Sequence, residues 1–514
     1  MRATVRVDAA SPIGAVNPLI YGQYVEHVAD CVYPGVWVGP APGDDTAPGD
    51  EDSSHAVEHG FRADVLDAAR EAQVPLVRWP GGCFADVYHW RDGVGPREQR
   101  PVRRNWHWGG TEPNSFGTDE FLTWCEKIGA APYITVNLGT GGLDEALRWV
   151  DYCNGTEPTA DVQRRRASGR AEPYGVRLWG IGNETWGTWE AGHLGADDYA
   201  RELANWARFL TGYDPAASVV AVGSSEGRDP RWDEAVLETA GEHVEHLSIH
   251  LYGCSTDPGS TDPRDGGQYL RVAFTPVYFE TRMRAMLARI RRRSDEIRLA
   301  LDEWNIRHYR SDDGGYALDR ASPRTLQDAV FAGGVLNALI RFGPDVSMAN
   351  HVFLVNGNAI LNTYGDQLVR TPLYHLFRQY RAWMRGTALP TEVDGPTVPT
   401  PTPLADHPDH EPETGDLPPR SSYVDATATR DEDGGVSIAL INRHPEESVR
   451  VSLDLPEGCH PRKAWTLSHD DVHAANDRAN PHRIVPRVSG FTSGTRTCPP
   501  HSVTLVRCGA DEPA

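Results

Sequence analysis

Trp179-Gly180-Ile181-Gly182-Asn183-Glu184 is a short apolar run that ends in an amide and a carboxylate, and Leu299-Ala300-Leu301-Asp302-Glu303-Trp304-Asn305 repeats the design far downstream. Such a run reads as a strand buried on both faces, which is how a parallel sheet delivers an acid to a site at its C-terminal end. Glu184 and Glu303 are therefore candidates for paired carboxylate chemistry, with Asn183 placed to orient a substrate hydroxyl. An acid at a strand end can also cap the next helix or face solvent. The flanking sequence decides between these readings.

Outward from the two runs the chain alternates helix and strand. Apolar stretches at Pro18–His27, Pro75–Trp79, Pro132–Asn137, Val176–Glu184, Ser218–Gly223, Val244–His250, Ile297–Asn305 and Val346–Phe353 read as strands. Between them, Arg62–Glu71, Phe121–Ile128, Leu143–Cys153, Asp198–Leu210, Asp233–Ala240, Val277–Arg293 and Thr325–Arg341 have helical composition. About eight strands with intervening helices predict an α/β fold, a (β/α)8 TIM barrel over residues 15–385, rather than a six-stranded open sheet. Gly39–His55, rich in Gly, Pro, Asp and Ser, reads as a surface loop.

Composition changes after Trp383. Residues 386–420 are expected to form a linker or loop, because Pro, Thr, Asp and His dominate them and supply little apolar surface. Short alternating runs over 421–510 predict a C-terminal β-sandwich, joined by an N-terminal strand within residues 2–10. All 15 tryptophans except Trp465 precede the linker, so aromatic surface for stacking on sugars belongs to the barrel.

The formal net charge of -22 over 514 residues argues against nucleic acid or an anionic membrane as partner. The dense basic run Arg289–Arg293 sits in a helical segment and reads as a solvated face. No apolar run reaches the length of a membrane span or of a signal-peptide core, which predicts a cytoplasmic protein. Eight cysteines without a CxxC pair suit reduced thiols. Gly180-Ile181-Gly182 lacks the third glycine of a dinucleotide loop, where Thr185 stands, and His243, His246 and His250 lack the partner pattern of a zinc protease.

The strand ends carry Arg78, Asn183 and Glu184, His250 and Tyr252, and Glu303. With Ile20-Tyr21-Gly22, Glu26-His27, Arg78-Trp79-Pro80-Gly81-Gly82-Cys83-Phe84, Tyr88-His89-Trp90, Asp92-Gly93-Val94-Gly95-Pro96, Val136-Asn137-Leu138-Gly139-Thr140, Ser248-Ile249-His250 and Thr371-Pro372-Leu373-Tyr374-His375, they appear in an order and register that resembles the clan A glycoside hydrolases. Within that clan the chain is similar to family 51 α-L-arabinofuranosidases over nearly its whole length.

The resemblance implies a retaining exo-glycosidase that removes terminal α-L-arabinofuranosyl residues from arabino- or arabinoxylo-oligosaccharides. Glu184 would be the general acid/base and Glu303 the nucleophile. Arg78 and Tyr252 would hold Glu303, Asn183 would meet the 2-hydroxyl, and Glu26 would bind outer hydroxyls of the furanose. His250, Trp304 and Cys83 complete the implied supporting set, Cys83 as a wall residue where many relatives have a sugar-binding Asn. A second departure is Phe353, at a position where the family usually places a glutamine. The resemblance further implies a homo-oligomer, commonly a hexamer, and needs no metal or organic cofactor. Alternatives are a related clan A β-xylosidase or β-1,4-endoglucanase, or a non-catalytic carbohydrate-binding barrel.

Overall fold

The computed structural model describes residues 1–39, 57–256, 266–312, 315–404, 407, 412, 414–491 and 494–510. All of the expected 39–55 loop except Gly39 lies outside the described residues.

Eight parallel strands close on themselves in chain order: Gly22–Tyr24, Leu76–Trp79, Ala131–Val136, Leu178–Ile181, Ser218–Ala221, His246–Thr256, Arg298–Asp312 and Val346–His351. Each pairs with the next, and the eighth returns to the first through Asn350–Gly22. This is the expected (β/α)8 barrel.

Side-chain alternation along the strands builds the site. Leu76, Tyr133, Leu178, Val220, Ala300 and Met348 form one buried cluster that plugs the barrel interior. Two residues further along four of these strands the same face presents Arg78, Thr135, Gly180 and Asp302. The interposed Val77, Ile134, Trp179 and Leu301 belong to the larger cluster that packs strands against helices. The interior thus changes from hydrocarbon to polar groups within one pleat.

Several boundaries differ from the sequence expectation. The first strand is only three residues long because Asn17 caps a short 3₁₀ turn, Pro18–Tyr21, with proline at its start. The sixth and seventh strands run beyond the expected ends, since Leu251 to Thr256 keep pairing with Trp304 to Tyr309. A helix at Ala160–Ala167, capped by the Thr159 side chain, was not expected from its polar composition.

The second layer system holds two sheets. Thr391–Asp394, Arg2–Val7, Val449–Asp454 and Thr495–Cys498 form one, in that order. Gly14–Ala15, Thr387–Leu389, Val424–Arg430, Val436–Asn442, Ser502–Ala510, Cys459–Leu467 and Arg487–Gly490 form the other. Val5, Val7, Ala426, Ile438, Leu440, Val451 and Val506 are among the buried residues that fill the space between them, as in a β-sandwich. Two strands of the 386–420 stretch, Thr387–Leu389 and Thr391–Asp394, belong to these sheets, and Thr397–Pro399 pairs with Arg420–Ser422.

Helix Leu326–Phe342 is buried on nearly every face, as a helix apolar all round must be. Its Gly333 lies against Ile441 and Val503 of the sandwich. Asn337 and Arg341 donate to Asp425 at 2.8 and 3.1 Å, which ties the two parts together. No helix among the described residues is long and apolar enough to cross a membrane.

Candidate active site

Glu303 stands at the C-terminal part of the seventh barrel strand, facing inward. Its Oε1 accepts from Arg78 Nη1 at 2.6 Å and from the Tyr24 hydroxyl at 3.3 Å, and its Oε2 accepts from the Tyr252 hydroxyl at 2.6 Å. Burial works to raise its pKa, but the charges of His250 and Arg78 and the Tyr252 hydrogen bond outweigh it, so the carboxyl lies below its ordinary value. Glu303 is ionised at neutral pH.

Arg78 is itself held on all sides. Its Nε donates to Thr135 Oγ1 at 3.1 Å, its Nη2 to Asn183 Oδ1 at 2.9 Å, and its guanidinium lies over the rings of Tyr24 and Tyr133. This fixes a fork of donors beneath the two acids.

Glu184 follows the fourth strand through a sharp turn. Gly182 has φ +81°, and a Cβ there would stand 2.9 Å from Thr185 and 3.0 Å from Leu138. Glu184 itself has φ +40°, a left-handed conformation that costs a non-glycine residue roughly 1–3 kcal/mol and concentrates at functional sites. The turn aims both Asn183 and Glu184 over the barrel mouth.

His250, on the sixth strand, joins the acids. Its Nδ1 lies 2.8 Å from Glu184 Oε1 and 3.6 Å from Glu303 Oε2, and its Nε2 lies 3.3 Å from Asp302 Oδ1. Burial opposes its charge, yet Glu303 and Asp302 push its pKa up to about 10, so the ring is an imidazolium at neutral pH. Carboxylate oxygens of Glu184 and Glu303 lie within 4.8 Å of each other. That spacing matches a retaining pair, whose carboxyls stand about 5–5.5 Å apart, and leaves no room for an inverting water.

Glu26 accepts from the Phe84 backbone N–H at 3.1 Å and from Trp108 Nε1 at 3.0 Å, and burial followed by the Glu303 charge raises its pKa. Gly82 leaves space between the acids: a Cβ there would be 2.7 Å from both Glu303 Oε1 and the Tyr24 hydroxyl oxygen. Cys83 lines the same pocket, with its thiol held protonated by burial first and then by Glu190.

Eight of the nine residues singled out from the sequence meet around this pocket: Glu26, Arg78, Cys83, Asn183, Glu184, His250, Tyr252 and Glu303. Trp304 does not. The pairing register shifts between Leu301 and Trp304, so Asp302 and Glu303 both face inward and Trp304 turns outward, where it packs against Phe331, His351 and Phe377 behind the barrel. Phe353 does line the pocket, with Tyr24 at 5.5 Å and the Arg320 guanidinium over its ring and that of Trp108.

Trp108, Arg320 and the buried Glu190 are pocket or near-pocket groups that sequence reasoning missed. The aromatic stretch Asn105-Trp106-His107-Trp108-Gly109-Gly110 was the available signal for Trp108. Glu190 carried none, since it lies in a loop and reaches the site through Asn183 Nδ2, 3.3 Å from its Oε1. A larger groove of about 1070 Å³ surrounds Trp37, Arg97 and Glu120, but its Arg97 and Arg100 are paired with Glu120 and its Arg91 with Asp161. Its Asp92 is paired with Arg103, and its Asp119 accepts from the Tyr152 and Tyr174 hydroxyls.

Residues 69–261 match the family described as the α-L-arabinofuranosidase 1 domain, and residues 302–502 match the α-L-arabinofuranosidase C-terminal domain. The chain is 35% identical to α-L-arabinofuranosidase C of Emericella nidulans, with 96% of this chain and 95% of that protein covered. It is 32% identical to the intracellular exo-α-(1→5)-L-arabinofuranosidase 1 of Bacillus subtilis, covering 96% and 95%. Among solved structures it is similar to the thermostable GH51 α-L-arabinofuranosidase of Thermotoga petrophila, with a TM-score of 0.84, 33% identity, and coverage of 98% and 99%.

Proposed function

Because the chain belongs to the α-L-arabinofuranosidases of glycoside hydrolase family 51, we propose that its barrel mouth cleaves terminal α-L-arabinofuranosyl residues with Glu303 as nucleophile and Glu184 as general acid/base. The observation that carries the assignment is the asymmetry of the two acids. Glu303 is clamped by Arg78, Tyr24 and Tyr252 and kept ionised, while Glu184 has among the described residues one side-chain partner at hydrogen-bond distance, His250 Nδ1.

The reaction is a retaining double displacement. Ionised Glu303 attacks the anomeric carbon as protonated Glu184 donates to the departing glycosidic oxygen. The resulting arabinofuranosyl ester is hydrolysed by water, from which Glu184 now takes a proton. Asn183, fixed by Arg78 on one side and Glu190 on the other, presents its amide toward the 2-hydroxyl, where hydrogen bonding strengthens as the ring gains positive charge. Glu26 and Trp108 form the wall for the outer hydroxyls.

The substrate class is arabino- or arabinoxylo-oligosaccharides, and the likeness to an intracellular Bacillus enzyme supports cytoplasmic action on imported fragments. The family resemblance adds the proposal of a homo-oligomer, commonly a hexamer, which sedimentation of the full chain tests. For the chemistry, the test is turnover of 4-nitrophenyl α-L-arabinofuranoside by the wild type and by Glu303→Ala. Loss of roughly 10⁴- to 10⁶-fold in kcat is expected for a missing nucleophile. A wild type active only on xylosides or glucans would remove the glycone assignment, and equal rates in both proteins would remove Glu303 from its role.

A further inference from the structure

Beside the paired acids lies a second cluster with a different chemistry. Cys83 Sγ, His107 and Glu190 each offer one donor atom, and the three atoms lie within 4.8 Å of one another. Glu190 is 4% exposed, and its Oε2 has no hydrogen-bond partner among the described residues. That buried, unpaired oxygen faces His107 Nε2 at 3.7 Å. Its other oxygen is already used, accepting from Asn183 at 3.3 Å.

The spacing suits a small cation. Zinc bonds of about 2.0–2.2 Å to nitrogen and oxygen set a tetrahedral edge of roughly 3.3–3.6 Å, and the His107–Glu190 separation of 3.7 Å needs only a small contraction to reach it. A sulfur, nitrogen and oxygen donor set selects the zinc class over calcium or magnesium, which take oxygen alone. As thiolate and carboxylate, Cys83 and Glu190 would together cancel a divalent charge, and the two protons displaced, one from the thiol and one from the Glu190 carboxyl, would pass to solvent. Cys83 borders the sugar pocket, so a fourth position would open toward it.

The other triad with similar spacing, Glu184, His250 and Glu303, is a poorer host. Arg78 sits 2.6 Å from Glu303, and the His250 imidazolium has no lone pair to give. Those carboxylates already have their cations.

We propose that Cys83, His107 and Glu190 form a binding site for one zinc-class divalent cation, and that filling it inhibits the enzyme by fixing the Glu190–Asn183 pair and placing a charge at the pocket wall. Binding is independent of the glycosidase reading, whereas inhibition rests on it.

The test uses the full chain freed of metal by chelation. Zinc chloride is titrated by calorimetry, cobalt(II) chloride by absorption, and 4-nitrophenyl α-L-arabinofuranoside turnover is followed at each zinc level. Expected are one zinc per chain and a thiolate-to-cobalt charge-transfer band in the near ultraviolet that is lost in Cys83→Ser. In His107→Gln and Glu190→Gln the zinc concentration for half inhibition, scaled to each variant's own metal-free rate, should rise at least about tenfold. Cys459→Ser, at the other half-buried cysteine, should keep both signals. A band that survives in Cys83→Ser, or is absent from the wild type, overturns the site. Zinc inhibition equal in the wild type and His107→Gln overturns its role, and His107→Gln keeps that test open should Cys83→Ser fail to fold.

Discussion

Glu303 and Glu190 are the same side chain, both nearly removed from water, and one run of hydrogen bonds joins them. Glu303 Oε1 accepts from Arg78, Arg78 donates to Asn183, and Asn183 donates to Glu190. At one end the carboxyl lies below its ordinary pKa; at the other, burial, opposed by the Cys83 thiol and then reinforced by nearby carboxylates, pushes it up to about 9. Burial alone drives both upward. What separates them is the guanidinium and the imidazolium at the Glu303 end, so ionisation follows the placement of cations, not depth.

Removing the guanidinium breaks the comparison most severely. Arg78→Lys keeps a positive charge but cannot serve Thr135, Asn183 and Glu303 from one planar fork. A fall in kcat of roughly 10²- to 10³-fold is expected, the scale of losing a buried charge partner, with a smaller change in KM. The pH profile sharpens the point. If Arg78 holds Glu303 ionised, the acidic limb of kcat/KM moves to higher pH in the variant, and an unmoved limb would contradict the assignment.

Next comes the imidazolium. A His raised to about 10 in the folded state, against about 6.5 unfolded, contributes stability that is fully present below about pH 6.5 and is lost as pH rises through about 10. His250→Gln should therefore lower the unfolding free energy read from urea titration most near pH 6, by an amount on the order of a few kcal/mol, and the gap to wild type should close toward pH 10. A gap that is constant with pH would show that His250 acts by packing rather than by charge.

The smallest catalytic effect is expected from Glu190→Gln, which keeps the shape and one hydrogen-bonding oxygen. Activity should change by less than about tenfold. Stability tests the other half of the comparison: the unfolded chain ionises Glu190 near pH 4.3 while the folded chain waits until about 9, so wild-type stability is drained as pH rises between those values. The thermal midpoint of Glu190→Gln should therefore gain on wild type from pH 5 to pH 8. Equal midpoints at both would mean that Glu190 is ionised after all.

The legible part of the site was the part attached to strands. Arg78, Asn183, Glu184, His250, Tyr252 and Glu303 each follow a recognisable apolar run, and a barrel sends every such strand end to one mouth. Trp304 was misplaced because the motif that marked Glu303 included its neighbour, whereas a shift in pairing register keeps Asp302 and Glu303 inward and leaves Trp304 on the outer face. Trp108 and Glu190 come from connecting segments, where no periodicity reports direction. The 386–420 stretch shows the same limit, since Thr391–Asp394 owes its place in a sheet to the N-terminal strand, whose partner lies nearly 400 residues away in the chain.

By itself the sequence determined that eight buried parallel strands alternate with helices, and that their ends bring two acids, an arginine and a tyrosine to one place, because burial pattern and strand polarity are local properties carried by each run. Tertiary structure alone decided that Glu303 is charged and the equally buried Glu190 is not. That choice depends on Arg78 and His250, brought to Glu303 from strands far apart in sequence, and on the absence of a comparable cation beside Glu190 among the described residues. Electrostatic interaction runs through space, and only the closed barrel fixes those distances.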